Sequence, residues 1–243
     1  MQNEEGKTRR KSVNQHYEEQ WQGYSEDDVL KRVKNLREVL DSIISPLTLK
    51  PGVRILDLGS GPGIIPLRMA KFLGDNPEAK IYGLEISENA IKIGNKIIRQ
   101  KNLTDSIHLI KGDAEYLPFH DRSYDAVVSN ATLNLLLDKE KGFDEMTRVV
   151  KEGGEIIIAD CVAKEGKRSC ADIDEDDELW SACVAGAPTK KEILEFSRRT
   201  GLEVLETKDL TSVVARLVKN KLWDWPEFIQ YDLEYYVFKM RKR

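Results

Sequence analysis

Apolar positions along this 243-residue chain follow two rhythms, short continuous runs and stripes at helical spacing, and the two alternate. Val53, Ile55, Leu56 and Leu58 predict a short buried strand, which runs directly into Gly59, Gly61 and Gly63. A helical stripe begins at once, over residues 64–73, and a second strand is expected at 80–85. Further strands are expected at 107–113, 123–130, 156–160, 202–206 and 233–240. Helices are predicted at 88–101 behind the N-cap Ser87, at 133–150, at 190–199 behind Thr189, and at 212–222. Ahead of the first strand, Ser25-Glu26-Asp27-Asp28 reads as a helix start. Val29, Val33, Leu36, Leu40 and Ile43 share one face of the helix that follows, which Pro46 and Pro51 end. Residues 1–14 are polar and expected to be loose, residues 163–178 to be a polar loop, and 223–226 to be a turn. Strands alternating with helices predict an α/β fold with a parallel sheet.

Composition narrows this pattern. With 40% hydrophobic and 33% charged residues, one sizeable core beneath a well-solvated surface is expected, and two full domains would be cramped. The formal net charge of −4 disfavours nucleic acid as a partner, which demands basic surface. Three cysteines, an odd number without close spacing, fit a reducing compartment better than a disulfide framework. No apolar leader is legible and no 18-residue apolar run occurs, so a cytoplasmic protein with no membrane partner is expected.

The candidate chemistry gathers at strand ends. Glycines after the first strand permit positive φ and close backbone approach to a ligand, and the next helix aims its N-terminal amides there. A dinucleotide turn needs a small residue at position 64, where this chain has Ile64; Asp57 beside the turn suits a cation and repels a pyrophosphate. Glu85 ends the second strand, where an acid can accept both hydroxyls of a ribose. Asp113-Ala114-Glu115 follows the third strand and Asn130 ends the fourth. Four consecutive strand ends carrying polar residues point to one ligand crevice across the carboxyl edge of the sheet. His16, His108 and His120 show no metal-ligand spacing, and no catalytic base is legible.

Leu56-Asp57-Leu58-Gly59-Ser60-Gly61-Pro62-Gly63, with those strand ends, resembles the first motif of the class I S-adenosylmethionine (SAM)-dependent methyltransferases. The resemblance covers about residues 50–160. It implies a Rossmann-like fold: a seven-stranded, mostly parallel sheet with helices on both faces and an antiparallel last strand. Residues 1–45 would form a helical lid segment, with Tyr24 as a lid residue, on a single methyltransferase domain at 46–243. It also implies that Asp57, Gly59, Ser60, Gly61 and Gly63 meet the amino-acid end of SAM, that Glu85 and Ile86 meet the ribose, and that Asp113 and Ala114 meet the adenine. Asn130 would face both cofactor and acceptor. No metal is implied, and the expected partner is a small-molecule methyl acceptor.

A narrower resemblance, to the arsenite methyltransferase branch, rests on residues 129–135, 148–155 and the segment Trp180-Ser181-Ala182-Cys183-Val184-Ala185-Gly186-Ala187. It implies that Cys183 binds trivalent arsenic, a soft acceptor that selects thiolates. The further cysteines of that branch are missing here: Ala131 stands where one is common, and Cys161 and Cys170 are the other thiols in the chain. The rivals of another class are a SAM-binding module without catalysis and a nicotinamide-dependent oxidoreductase. Acceptor identity and oligomeric state are not legible in the sequence.

Overall fold

The structure is a computed structural model that describes all residues except 1–3, 75, 77 and 167–176. Three helices precede the sheet: α1 (Glu4–Gln22), α2 (Glu26–Asn35) and α3 (Arg37–Ile44). Strands and helices then alternate as β1 (Arg54–Leu58), α4 (Ile64–Leu73), β2 (Lys80–Glu85), α5 (Glu88–Gln100), β3 (Ile107–Lys111) and β4 (Tyr124–Asn130). A single 3-10 turn at Leu133–Leu135 leads to α6 (Lys139–Val149), β5 (Val150–Val162), α7 (Asp177–Ser181) and α8 (Lys190–Arg199). The chain ends with β6 (Leu202–Asp209), α9 (Thr211–Lys219), α10 (Glu227–Gln230) and β7 (Glu234–Lys242).

The strands form one seven-stranded sheet in the order β3-β2-β1-β4-β5-β7-β6. β1 to β5 are parallel neighbours, and β7 runs antiparallel to both β5 and β6. This is the expected Rossmann-like architecture. Successive residues of the central strands point to opposite faces, so a parallel sheet covered twice needs apolar side chains at nearly every position. Ile55, Val128 and Ile157 accordingly join one core cluster with α2, α3, α4, α5 and α9, whereas Leu56, Val127, Ile156 and Ile158 join another with α6 and α8. The strand order reverses between β1 and β4, and that switch point opens a crevice at their carboxyl ends.

Three expectations are corrected. Residues 1–14 are not loose throughout: α1 begins at Glu4. Val13, Tyr17 and Trp21, spaced four apart, form a helical stripe; Val13 and Trp21 are buried, and Val13 packs with Trp180 and Ala185. The helix expected over 133–150 is interrupted, because Leu136 is extended and the Asp138 carboxylate accepts from Lys141 N at 2.9 Å, capping a new helix. The helix after Ser25 is divided at Leu36, although Val29, Val33, Leu36, Leu40 and Ile43 stay on one buried face. Ser25 caps α2 through a capping box with Asp28, and Thr189 caps α8 through one with Glu192.

Candidate functional site

The turn after β1 is built on three left-handed glycines, Gly59 (φ 65°), Gly61 (φ 54°) and Gly63 (φ 82°). Gly59 N and Ser60 N donate to Leu84 O at 2.9 and 3.0 Å, which ties the turn to β2. Thr132 Oγ1 donates to Leu58 O at 3.0 Å from the other side, and a Cβ at Gly59 would fall 2.1 Å from that hydroxyl. Conformation and space both demand glycine there. A Cβ on Gly61 would meet the Trp21 ring at 3.2 Å, so α1 lays an indole directly over the turn.

Two buried acids face this turn. Glu85 accepts from Gly61 N at 2.8 Å, Ile86 N at 2.9 Å and Ser87 N at 2.8 Å. A carboxylate offers about four acceptor sites, so these three bonds fix its orientation and leave capacity to spare. Burial pushes its proton affinity up, opposed by the three amides. Asp57 is 1% exposed, and its Oδ2 has no hydrogen-bond partner. Burial first, then the negative charge of Glu85, hold its carboxyl well above the usual carboxylate range.

Beyond β3, Asp113 Oδ1 accepts from Glu115 N at 2.9 Å and Oδ2 pairs with Arg10 Nη1 of α1 at 3.2 Å. Glu115 is buried; it pairs with Arg10 Nη2 and accepts from Leu137 N at 2.8 Å. The β4 tip is braced from β7, where Tyr235 Oη donates to Asn130 Oδ1 at 2.7 Å. Asp160, fully buried at the end of β5, accepts from Thr132 N, Leu133 N and Cys161 N at 3.0, 2.9 and 2.8 Å. Burial raises it to about 7 against the pull of those amides.

Two of the three segments that carry the narrower resemblance, 129–135 and 180–187, meet in space. Trp180 Nε1 donates to Leu135 O at 3.2 Å and Asn134 Nδ2 to Cys183 O at 3.2 Å. A Cβ on Gly186 would fall 1.8 Å from Asn134 O, so glycine is required for the backbones to approach. Cys183 takes a positive φ of 63°, and its Sγ lies 3.8 Å from Tyr17 Oη. Its thiol is pushed up to about 12, mainly by burial and then by Asp160. Cys161 Sγ donates to Cys183 O at 2.9 Å. Cys170 lies outside the described residues.

These groups surround one cavity of about 440 Å³, within the range of small-molecule sites. Asp57, Gly59, Ser60, Gly61, Glu85, Ile86, Asp113, Ala114, Asn130 and Cys183 all line it. Gly63 is not on its wall and serves as the left-handed N-cap of α4. Tyr24 is also off the wall: its ring packs edge-on against Trp21 with centroids 4.9 Å apart, and its hydroxyl accepts from Arg32 Nη1 at 3.4 Å. Among the cavity-lining residues that sequence reasoning missed are Arg10, Tyr17, Trp21 and Arg32 from the first two helices, and Trp223 and Trp225 near the chain's end. Four-residue spacing of the α1 aromatics was the available signal; nothing local marked Arg32. Trp223 and Trp225 stack at 5.2 Å and lean on Tyr235 at 5.8 and 6.3 Å, giving the cavity an aromatic wall. His16 stands at the rim, edge-on to Tyr17.

The family model described as a methyltransferase domain matches residues 49–201, the span that contains the glycine turn and the tips of β1 to β5. The chain belongs to this methyltransferase family. Its members are the class I SAM-dependent enzymes that the first motif resembles. Among curated relatives, an arsenite methyltransferase of Halobacterium salinarum is 30% identical over 158 residues, 65% of this chain and 39% of the relative. A ubiquinone/menaquinone biosynthesis C-methyltransferase of Vibrio parahaemolyticus is 30% identical over 109 residues, 45% of this chain and 41% of the relative. This methyltransferase-family chain thus aligns with about two fifths of the length of those relatives. In fold it is similar to the geranyl diphosphate C-methyltransferase of Streptomyces coelicolor, solved with S-adenosyl-L-homocysteine (SAH). The TM-score is 0.73 at 16% identity, over 90% of this chain and 84% of that one.

Proposed function

We propose that the protein is a SAM-dependent methyltransferase acting on a small-molecule acceptor. The observation that carries this reading is the convergence of four strand tips on one cavity, with Asp57 Oδ2 buried there and unpartnered. An orphaned buried carboxylate oxygen is costly unless a ligand completes it, and a cationic ligand suits it best. The residues present therefore fit SAM. Asp57 with the main chain of Gly59 to Gly61 would hold its amino-acid end, Glu85 and Ile86 the ribose, and Asp113 with Ala114 the adenine. When bound, SAM supplies a methyl group already activated on a sulfonium.

The chain's own task is then positioning and exclusion of water. Asn130, held by Tyr235, lines the same cavity as the donor's residues and the aromatic wall, where the acceptor would lie. Residues 1–45 act as a lid segment on a methyltransferase domain at 46–243: α1 roofs the cavity through Arg10, Tyr17 and Trp21. Tyr24 contributes from behind by bracing Trp21 and Arg32. The acidic balance and a cavity of small-molecule size favour a small molecule over nucleic acid, and a cytoplasmic setting accords with reduced thiols.

The test is a binding titration with SAH. Glu85→Ala and Asp113→Ala each remove a charged acceptor worth about 1.5–3 kcal/mol, so affinity should fall about tenfold or more; unchanged affinity in both variants overturns the assignment. Transfer of labelled methyl from SAM to a pool of small acceptors separates the enzyme from a SAM-binding module without catalysis. A metalloid acceptor is the second reading. It is supported by Cys183 on the cavity wall and by the arsenite methyltransferase among the relatives. It is weakened by a thiol held protonated far above neutral pH. Formation of a methylarsenical from arsenite and SAM is its check.

A further inference from the structure

Arg32 of α2 lines the cavity, yet no carboxylate among the described residues pairs with it. Its Nε is buried without any hydrogen-bond partner, and its Nη1 makes one long bond, 3.4 Å, to the Tyr24 hydroxyl. Of the acids that line the same cavity, Asp113 and Glu115 pair with Arg10 and Glu85 is bound by three amides, while Asp57, Asp224 and Glu227 make no ion pair with Arg32. The part-buried Arg68 and Arg148, by contrast, are satisfied by acids, Arg68 by Asp41 and Arg148 by Glu145 and Asp121. Arg32 is the departure from that habit. Its guanidinium lies 5.8 Å from the centroid of Trp21, the ring that covers Gly61, and its charge reaches Tyr17 and Cys183 across the cavity. It therefore faces the cavity that the glycine turn, Trp223 and Trp225 also line.

Leaving a guanidinium half-buried without an anion costs free energy that the fold itself does not offset. The planar fork of arginine matches a carboxylate through two parallel N–H···O bonds, and the unused Nε is one arm of that fork. We propose that Arg32 is an oxyanion-binding residue of this cavity, receiving a carboxylate carried in by a ligand. This rests on the SAM-dependent reading above, under which two sources share that chemistry. One is the amino-acid end of the donor at the glycine turn; the other is an acidic group on the acceptor beside Trp223 and Trp225.

The experiment compares wild type with Arg32→Gln and Arg32→Lys, each first checked for an unchanged circular dichroism spectrum and melting transition. The donor arm titrates SAH against 5′-methylthioadenosine, which lacks the amino-acid end. The acceptor arm titrates benzoate against benzamide into SAH-saturated protein, the ring being chosen for the tryptophan wall. A donor carboxylate is assigned if Arg32→Gln weakens SAH about tenfold or more, leaves methylthioadenosine unchanged, and Arg32→Lys recovers part of the loss. An acceptor carboxylate is assigned if SAH is unaffected while saturable benzoate binding is lost in Arg32→Gln and benzamide makes no distinction. Equal affinities for every probe in wild type and Arg32→Gln overturn the proposal, as does an equal loss for SAH and methylthioadenosine. Wild-type protein that takes up neither nucleoside removes the SAM reading instead, and Arg32 is then judged on benzoate against benzamide alone.

Discussion

At the scale of single residues, the site's behaviour turns on Asp57. A folded-state proton affinity above the unfolded one means that the native protein holds this proton more tightly than the denatured chain. The contribution to stability is then full below the ordinary carboxylate range and is lost as pH rises through the native value, above which a buried charge opposes folding. Unliganded wild type should lose stability relative to Asp57→Asn as pH climbs out of the acid range, in chemical denaturation followed at several pH values. Cationic SAM favours the charged form, so its affinity for wild type should rise over the same interval while that of Asp57→Asn stays flat. Parallel pH profiles for the two proteins would remove Asp57 from this role. The residue was legible in the sequence because its chemistry is local: an acid at the end of a buried strand, beside a glycine turn. Arg32 was not, since its significance lies in what is absent around it in three dimensions.

Among the elements, α1 is the one that polar composition concealed. Its capping role is also non-local. The Glu18 carboxylate accepts from Glu88 N at 2.8 Å, Asn89 N at 3.0 Å and the Ser87 hydroxyl at 3.0 Å, while Ser87 Oγ itself accepts from Ala90 N. The first amides of α5 are thus satisfied partly from a helix some seventy residues earlier. Burial works to raise the proton affinity of Glu18, and the bonds from Asn89, Glu88 and Ser87 more than offset it. Its stabilising effect is therefore present above the usual carboxylate range and fades as pH falls. Glu18→Ala should cost about 1 kcal/mol, as loss of a helix cap does, and lower Tm by about 2–4 °C for a chain of this size. Hydrogen exchange should quicken along α1 and at the start of α5; if only α5 responds, Glu18 caps that helix without docking α1. The break before α6 was likewise readable, from Asp138 standing as an N-cap, had cap chemistry been weighed above hydrophobic spacing.

For the whole molecule, the alternation of strands and helices followed from hydrophobic periodicity, because a doubly covered parallel sheet imposes a strong local pattern. The seven-stranded Rossmann-like sheet followed instead from the resemblance carried by the glycine motif and the polar strand ends. What periodicity left open is how the ends of the chain return to that crevice. Arg10, Tyr17 and Trp21 roof it from the start of the chain, and Trp223 and Trp225 wall it from near the end, with Tyr235 packed against them and bracing Asn130. Both large core clusters lie outside α1, whose buried apolar contribution is Trp21 and the small group of Val13 with Trp180 and Ala185. A chain lacking residues 1–24 should therefore still unfold cooperatively, with a lower Tm. Its response to ligand should differ more than its stability. At SAH one hundred times its dissociation constant, a native-state ligand adds about 2.7 kcal/mol, or a Tm rise of about 5–11 °C for a full chain of this size. At the same SAH concentration the shortened chain, with Trp21 gone from Gly61 and Arg10 from Asp113, should shift by a small fraction of that. An equal shift in both proteins would mean that α1 merely rests on the cavity, and that the strand tips alone grip the cofactor.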